Sequence, residues 1–194
     1  NFEKDLSGKY QMSSYTGTLK DPLNPEKNRS YTFDVGLGIN AREAANLLQG
    51  RAVLQYYSIG GDRMASKWMQ LDFKNLTVDG SPLLKETPAD HDFNLRQEVS
   101  RIADVLNKPE LVSVKALNGM EQGNQIALKQ ANGKTTFLEA NPLNKQVLIL
   151  NEKQQPITLE QLKKQKEAAL KPQQVKTRVK KIERNKKQQQ EQSL

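Results

Sequence analysis

Residues 125–150, QIALKQANGKTTFLEANPLNKQVLIL, hold three short segments in which apolar and polar side chains alternate, separated by Asn132-Gly133 and by Asn141-Pro142. Alternation at period two puts one set of side chains on one face of a strand. Asn-Gly between two such segments is the strongest short-range hairpin signal, so the stretch reads as antiparallel strands joined by tight turns. Upstream, ELVSVKAL (110–117) reads as a further strand of the same meander, with Asn118-Gly119 as its turn.

Working outward, Leu95, Val99, Ile102, Ala103 and Leu106 recur at the spacing of a single helical stripe, and Pro109 closes that segment. A shorter helix is predicted after Asn40, which can cap it while Glu43 reaches back, with Gly50 placed to end it. KYQMSSYTGTL and SYTFDVG read as a hairpin with a long Pro-rich connection, and AVLQYYS as a strand before a Gly60-Gly61-Asp62 turn. In KWMQLDF the alternation puts Met69, Leu71 and Phe73 on one face and Trp68 on the other. After Pro156, Thr158 and Gln161 have the spacing of a capping box that starts a last helix. The expected fold class is α+β: an antiparallel sheet with two helices covering one face, followed by a C-terminal helix and a basic disordered tail. Residues 1–157 form the expected single domain, with one core, and 158–194 the helix and Lys/Gln-rich tail.

The 194-residue chain carries a formal charge of +8. From Asn151 onward there are 12 Lys and Arg against 5 Glu, whereas residues 1–150 hold 18 basic and 17 acidic side chains. A near-neutral body with a basic extension is the charge pattern that attracts polyanions. The chain has no cysteine, which excludes disulfide frameworks, thiolate metal sites and cysteine nucleophiles and fits a reducing cytoplasm. No apolar run approaches a membrane span, and the opening NFEKDLSGKYQ lacks the layout of a signal peptide. Beginning on Asn1 rather than Met, it reads as a trimmed start.

Four stretches carry a resemblance: YTGTLK (15–20), SYTFDVGLGINAREAANLLQGRAV (30–53), KWMQLDF (67–73) and NGKTTFLEANPLNKQVLILNEKQQPI (132–157). Together they resemble a domain-of-unknown-function family found in proteins of bacterial conjugative and mobilisable elements. The most specific pieces are REAANLLQGRAV and FLEANP, both of which read structurally rather than catalytically, while Leu76 to Asp92 departs from the pattern. The resemblance implies a mobile-element context of DNA transfer and supplies no catalytic residue.

Several motifs admit chemistry and a plainer reading. Gly36, Gly38 and Ala41 satisfy G-x-G-x-x-A, but a short helix, a capping pair and neighbouring hairpins argue against a dinucleotide fingerprint. Asp90-His91-Asp92 places the only histidine between two carboxylates. Adjacent residues of an extended loop diverge, so the acidic pair reads as charging the N-terminus of the following helix. Asp72, Asp79, Asp90 and Asp92 would make a catalytic cluster only by meeting in a cleft. Trp68, Tyr56 and Tyr57 have the chemistry of a base-stacking platform, although aromatics in strands belong more often to cores.

In the tail, Val175, Val179 and Ile182 form a narrow stripe among Lys176, Arg178, Lys180, Lys181, Arg184, Lys186 and Lys187. These seven cations are the predicted nucleic-acid contacts, by sequence-independent phosphate attraction. The sequence assigns no catalytic residue, cofactor, metal or membrane contact. It favours a non-enzymatic accessory protein that binds DNA or RNA weakly through its tail and a protein of the same mobile element through its domain. The competing expectation is an interaction or scaffold module of transfer or defence machinery, with the tail as linker.

Overall fold

The computed structural model describes residues 1–89, 92–130 and 133–168. Its class is α+β, and every strand pair is antiparallel. Among the described residues the strands form four small sheets rather than one.

Strands β1 (Phe2–Lys4) and β2 (Tyr10–Met12) pair as an exposed N-terminal ribbon. β3 (Ser14–Leu19) pairs with β4 (Arg29–Asp34) as the expected long-looped hairpin, aligning Tyr15 with Phe33. Helix α1 (Ala41–Leu48) starts on a complete capping box: Asn40 Oδ1 accepts from the Arg42 and Glu43 amides, and Glu43 accepts from the Asn40 amide. Its Ala44, Leu47 and Leu48 pack with Phe33 of the hairpin.

The middle sheet is β5 (Val53–Ser58), β6 (Met64–Leu76) and β7 (Pro82–Pro88), in that order. The predicted facing of β6 holds: Met69 and Leu71, with Phe73 at the margin, join α1 and the β3–β4 hairpin, and Trp68 points the other way. Both faces are buried, with Met69 1% and Trp68 4% exposed. The described residues therefore form two apolar clusters on either side of one strand, where the sequence suggested one core. The neighbouring pair Ala52 and Val53 divides between the clusters in the same way.

Helix α2 (Leu95–Leu106) buries all five residues of its predicted stripe. It lies against the third layer, β8 (Ile126–Lys129), β9 (Thr135–Asn141) and β10 (Gln146–Leu150), ordered β10-β9-β8. In β9 the alternation is strict: Thr136, Leu138 and Ala140 are buried, while the residues between them are half-buried. Fully burying a large apolar side chain is worth roughly 1.5–3 kcal/mol, so the α2 stripe and the Leu138 face fix how this layer packs. Because α1 belongs to one cluster and α2 to the other, the two helices do not share one sheet face, which corrects the expected arrangement.

The segment 110–117 also departs from expectation. A 3-10 turn at Pro109–Val112 leads into helix α3 (Val114–Glu121), and Asn118-Gly119 lies inside that helix rather than in a hairpin turn. Ser113 caps α3 by accepting from the Ala116 amide, and Leu117 and Met120 are buried one helical turn apart, while Val114 is exposed. The alternation in ELVSVKAL is a by-product of a cap falling between two apolar turns.

The predicted 158–161 capping box forms, with reciprocal bonds of 2.9 and 3.1 Å, and opens helix α4 (159–168). Leu162 is 2% exposed within the α2-side cluster, so the packed unit continues past the 157 boundary. Among the described residues, no helix is long and apolar enough to cross a membrane.

Candidate functional site

The seven tail cations, Lys176, Arg178, Lys180, Lys181, Arg184, Lys186 and Lys187, lie outside the described residues, as do Asp90 and His91. Asp92 is described: it ion-pairs with Lys145 at 3.0 Å, and α2 is capped by Asn94, whose Oδ1 accepts from the Gln97 amide. The N-cap of α2 is therefore the Asn94 side chain. Asp72 ion-pairs with Lys85 and accepts from the amide of Lys74 and from Asn75, while Asp79 is held by the hydroxyls of Thr77 and Ser81 in the β6–β7 turn. Hydrogen bonding from Lys85 holds the Asp72 carboxyl well below the usual carboxylate range, and the Thr77 hydroxyl lowers that of Asp79. Among the described residues, no group of three acidic or histidine side chains converges on a possible metal position.

The G-x-G-x-x-A segment has local work of its own. Asp34 takes the Gly36 amide at 2.6 Å and Asn40 takes the first free amides of α1, so the donors a phosphate would need are used by the chain. With no parallel crossover beside it, the motif is a cap and not a dinucleotide site. Trp68 is buried edge-to-face on Phe93, with ring centroids 5.7 Å apart, and offers no face to a base. Tyr56 and Tyr57 are exposed rather than core, but as neighbours in β5 they face opposite sides.

The structure assembles a different site, between the end of α1 and the outer face of the β8–β10 sheet. A cleft of about 730 Å³ is lined by Arg29, Arg51, Gln49, Gln125, Glu139 and Leu148, among others. Arg51 follows α1, and its guanidinium donates to Asn46 Oδ1 at 2.5 Å. Asn46 is 4% exposed and is itself fixed, its Nδ2 donating to the Gln122 carbonyl at 2.6 Å and to Asn124 at 3.1 Å. The Arg51 Nε is buried without a hydrogen-bond partner among the described residues. On the opposite wall, Glu139 stands directly across from Leu148 in the β9–β10 ladder and accepts from Gln125 Nε2 at 2.7 Å. Gln125 also donates to Gln154 Oε1, which ties the carboxylate to the loop after β10.

The electrostatics follow from burial. Desolvation lowers the pKa of Arg51, with partial compensation from Glu139, and desolvation raises that of Glu139 against the opposing pull of Gln125 and Arg51. The two groups feel each other, yet no ion pair forms between them. Arg29 stacks over Phe73 at 4.2 Å and donates to the Leu48 carbonyl, and it too has no ion-pair partner among the described residues. The cleft thus presents two arginines and one carboxylate.

Sequence reasoning read REAANLLQGRAV and FLEANP as structural pieces and passed over Arg51 and Glu139. What was visible is that both lie in segments quoted for the resemblance, and the structure brings those segments to one cleft, with Gln154 from the same segment as Glu139 and Leu19 from a third. Comparison of the chain with protein-family models, curated proteins and solved structures gives no match in any of the three.

Proposed function

We propose that this chain is a non-enzymatic accessory protein of a bacterial mobile element, acting in the cytoplasm. Its basic C-terminal segment engages DNA or RNA through non-specific phosphate contacts, and its domain receives a protein of the same element. The observation that carries this reading is the charge partition, 12 cations against 5 carboxylates after residue 150 and near balance before it. The resemblance of the four quoted segments supports the mobile-element context, and the Arg51–Glu139 cleft supports partner binding.

The test replaces Lys176, Arg178, Lys180, Lys181, Arg184, Lys186 and Lys187 by Gln in the full chain and measures fluorescence anisotropy with labelled DNA and RNA across a salt series. The parent should bind with an affinity that falls steeply with salt, the log-log slope approaching about −0.9 per phosphate neutralised on duplex DNA. The substituted chain should lose that binding. Equal affinity for parent and variant, or no binding by either, defeats the tail assignment and leaves the scaffold reading, in which the segment is a linker.

A further inference from the structure

A half-buried guanidinium with no anion beside it is an expensive feature, because a desolvated charge is normally paired. Arg51 meets that description, and the chain invests in holding it there: Asn46 is buried, uses both ends of its amide, and fixes the guanidinium toward the cleft. Glu139 is held in the same manner by Gln125, and Gln125 by Gln154. Two oppositely charged, desolvated groups are thus oriented within one cleft without being allowed to satisfy each other.

The missing partner has a definable chemistry. It must bring an anion to Arg51, since the wall carries two arginines against one carboxylate, and a donor to Glu139. Inorganic phosphate or a nucleic-acid phosphodiester brings the anion but no N–H, and would face Glu139 repulsively. A peptide brings both, and the side-chain amide of Gln49, with Gln125 Oε1 and Gln154 Nε2, offers further acceptors and donors to its backbone. The cleft also shares Leu19, Arg29 and Gln49 with a neighbouring groove of about 920 Å³ that reaches Phe73 and Pro82. An extended chain, at about 3.3 Å per residue, has room to run from one into the other.

We propose that the Arg51–Glu139 cleft is the docking site for an extended segment of the partner polypeptide, which lays an acidic side chain on Arg51 and donates a backbone N–H to Glu139. This rests on the reading that the domain binds a protein. Arg51 supplies a planar fork suited to a carboxylate, and Glu139 selects against anions that carry no donor.

The experiment uses the ¹⁵N-labelled full chain and follows the arginine Nε–Hε resonances. The probes are a pool of N-acetylated, C-amidated random pentapeptides with a fixed central glutamate, the same pool with central glutamine, and inorganic phosphate. The glutamate pool should shift the Arg51 signal saturably, at least tenfold more tightly than the glutamine pool, and phosphate should not. Arg51→Lys, which keeps the charge and loses the fork, should weaken binding of the glutamate pool at least tenfold, read from the Arg29 Nε–Hε and Gln125 side-chain amide signals of the same cleft. Glu139→Gln, which can keep its bond from Gln125, should narrow the discrimination against phosphate. The chain with its seven tail cations replaced by Gln should respond as the parent does. Equal responses to both pools, a response to phosphate as strong as to glutamate, or loss of the response with the tail charges overturns the proposal. Saturable shifts elsewhere on the domain, with the Arg51 signal unmoved, overturn this site while leaving the partner-binding reading intact.

Discussion

Gly123 sits where the end of α3 meets the start of β5, at a φ of +81°, and a Cβ there would lie 2.9 Å from the Ala52 carbonyl oxygen, 2.9 Å from Asn46 Cβ and 3.1 Å from Val53 Cγ2. Gly123→Ala incurs two penalties. The left-handed backbone costs an L-residue about 1–2 kcal/mol. The wedge against a backbone oxygen and the buried Asn46, neither of which can yield freely, costs about 1–3 kcal/mol more. Gly80, at a φ of +81° with nothing within 4 Å of its would-be Cβ, isolates the first penalty. Gly80→Ala should lose about 1–2 kcal/mol and Gly123→Ala about 2–5 kcal/mol, with the small gain from a stiffer unfolded chain common to both. Urea unfolding followed by the fluorescence of Trp68, the sole tryptophan and buried against Phe93, reads the difference. If the two variants lie within about 0.5 kcal/mol of each other, below the independent cost of overpacking, the close approach of this loop to β5 is wrong.

Other perturbations follow from the same geometry. Gly119→Ala should stabilise the protein by about 0.5–1 kcal/mol, because Gly119 lies within α3; a loss of stability would restore the hairpin reading of Asn118-Gly119. Leu162→Ala should cost about 2–5 kcal/mol in denaturant melts if α4 belongs to the core, and almost nothing if the domain ends at 157. Burial raises the Glu139 pKa, so the folded state gains protons there and stability from this group is lost as pH rises through the folded value. Glu139→Gln should therefore raise the melting temperature at neutral pH and flatten its dependence above about pH 4.5, the ordinary glutamate value. The depressed Asp72 carboxyl acts in the opposite sense, adding stability above about pH 3.8 that is lost as pH falls toward its folded value, and Asp72→Asn should remove that part of the acid limb.

Local features were legible in the sequence wherever one residue's neighbours decide its environment. The Leu95–Leu106 stripe, the Asn40–Glu43 and Thr158–Gln161 boxes and the facing of Met69, Leu71 and Phe73 depend on spacing alone, and all form. The segment 110–117 misled because a period of two and a helix interrupted by a cap give the same pattern over eight residues. The division of the core into two clusters was hidden because Trp68 alone marks the second face of β6, while Met69, Leu71 and Phe73 alternate onto the first. The cleft was hidden for another reason. Arg51 and Glu139 are far apart in the chain, and the buried Asn46 that positions one of them looks like an ordinary polar residue of a short helix.

The double burial of β6 also bears on how the molecule comes apart. Because the strand is a wall of both clusters, neither layer can open without exposing apolar surface that the other relies on, and the two should melt as one cooperative unit. Amide protons near Met69 would then exchange with solvent only through global unfolding, whereas those of the β1–β2 ribbon, which has no buried residue, would exchange by local fraying. Proteolysis would nick the ribbon early and would not release half of the domain intact. Because each strand pairs with a neighbour in sequence while β6 joins both layers, the expected folding rate lies between those of helical bundles and all-β sandwiches.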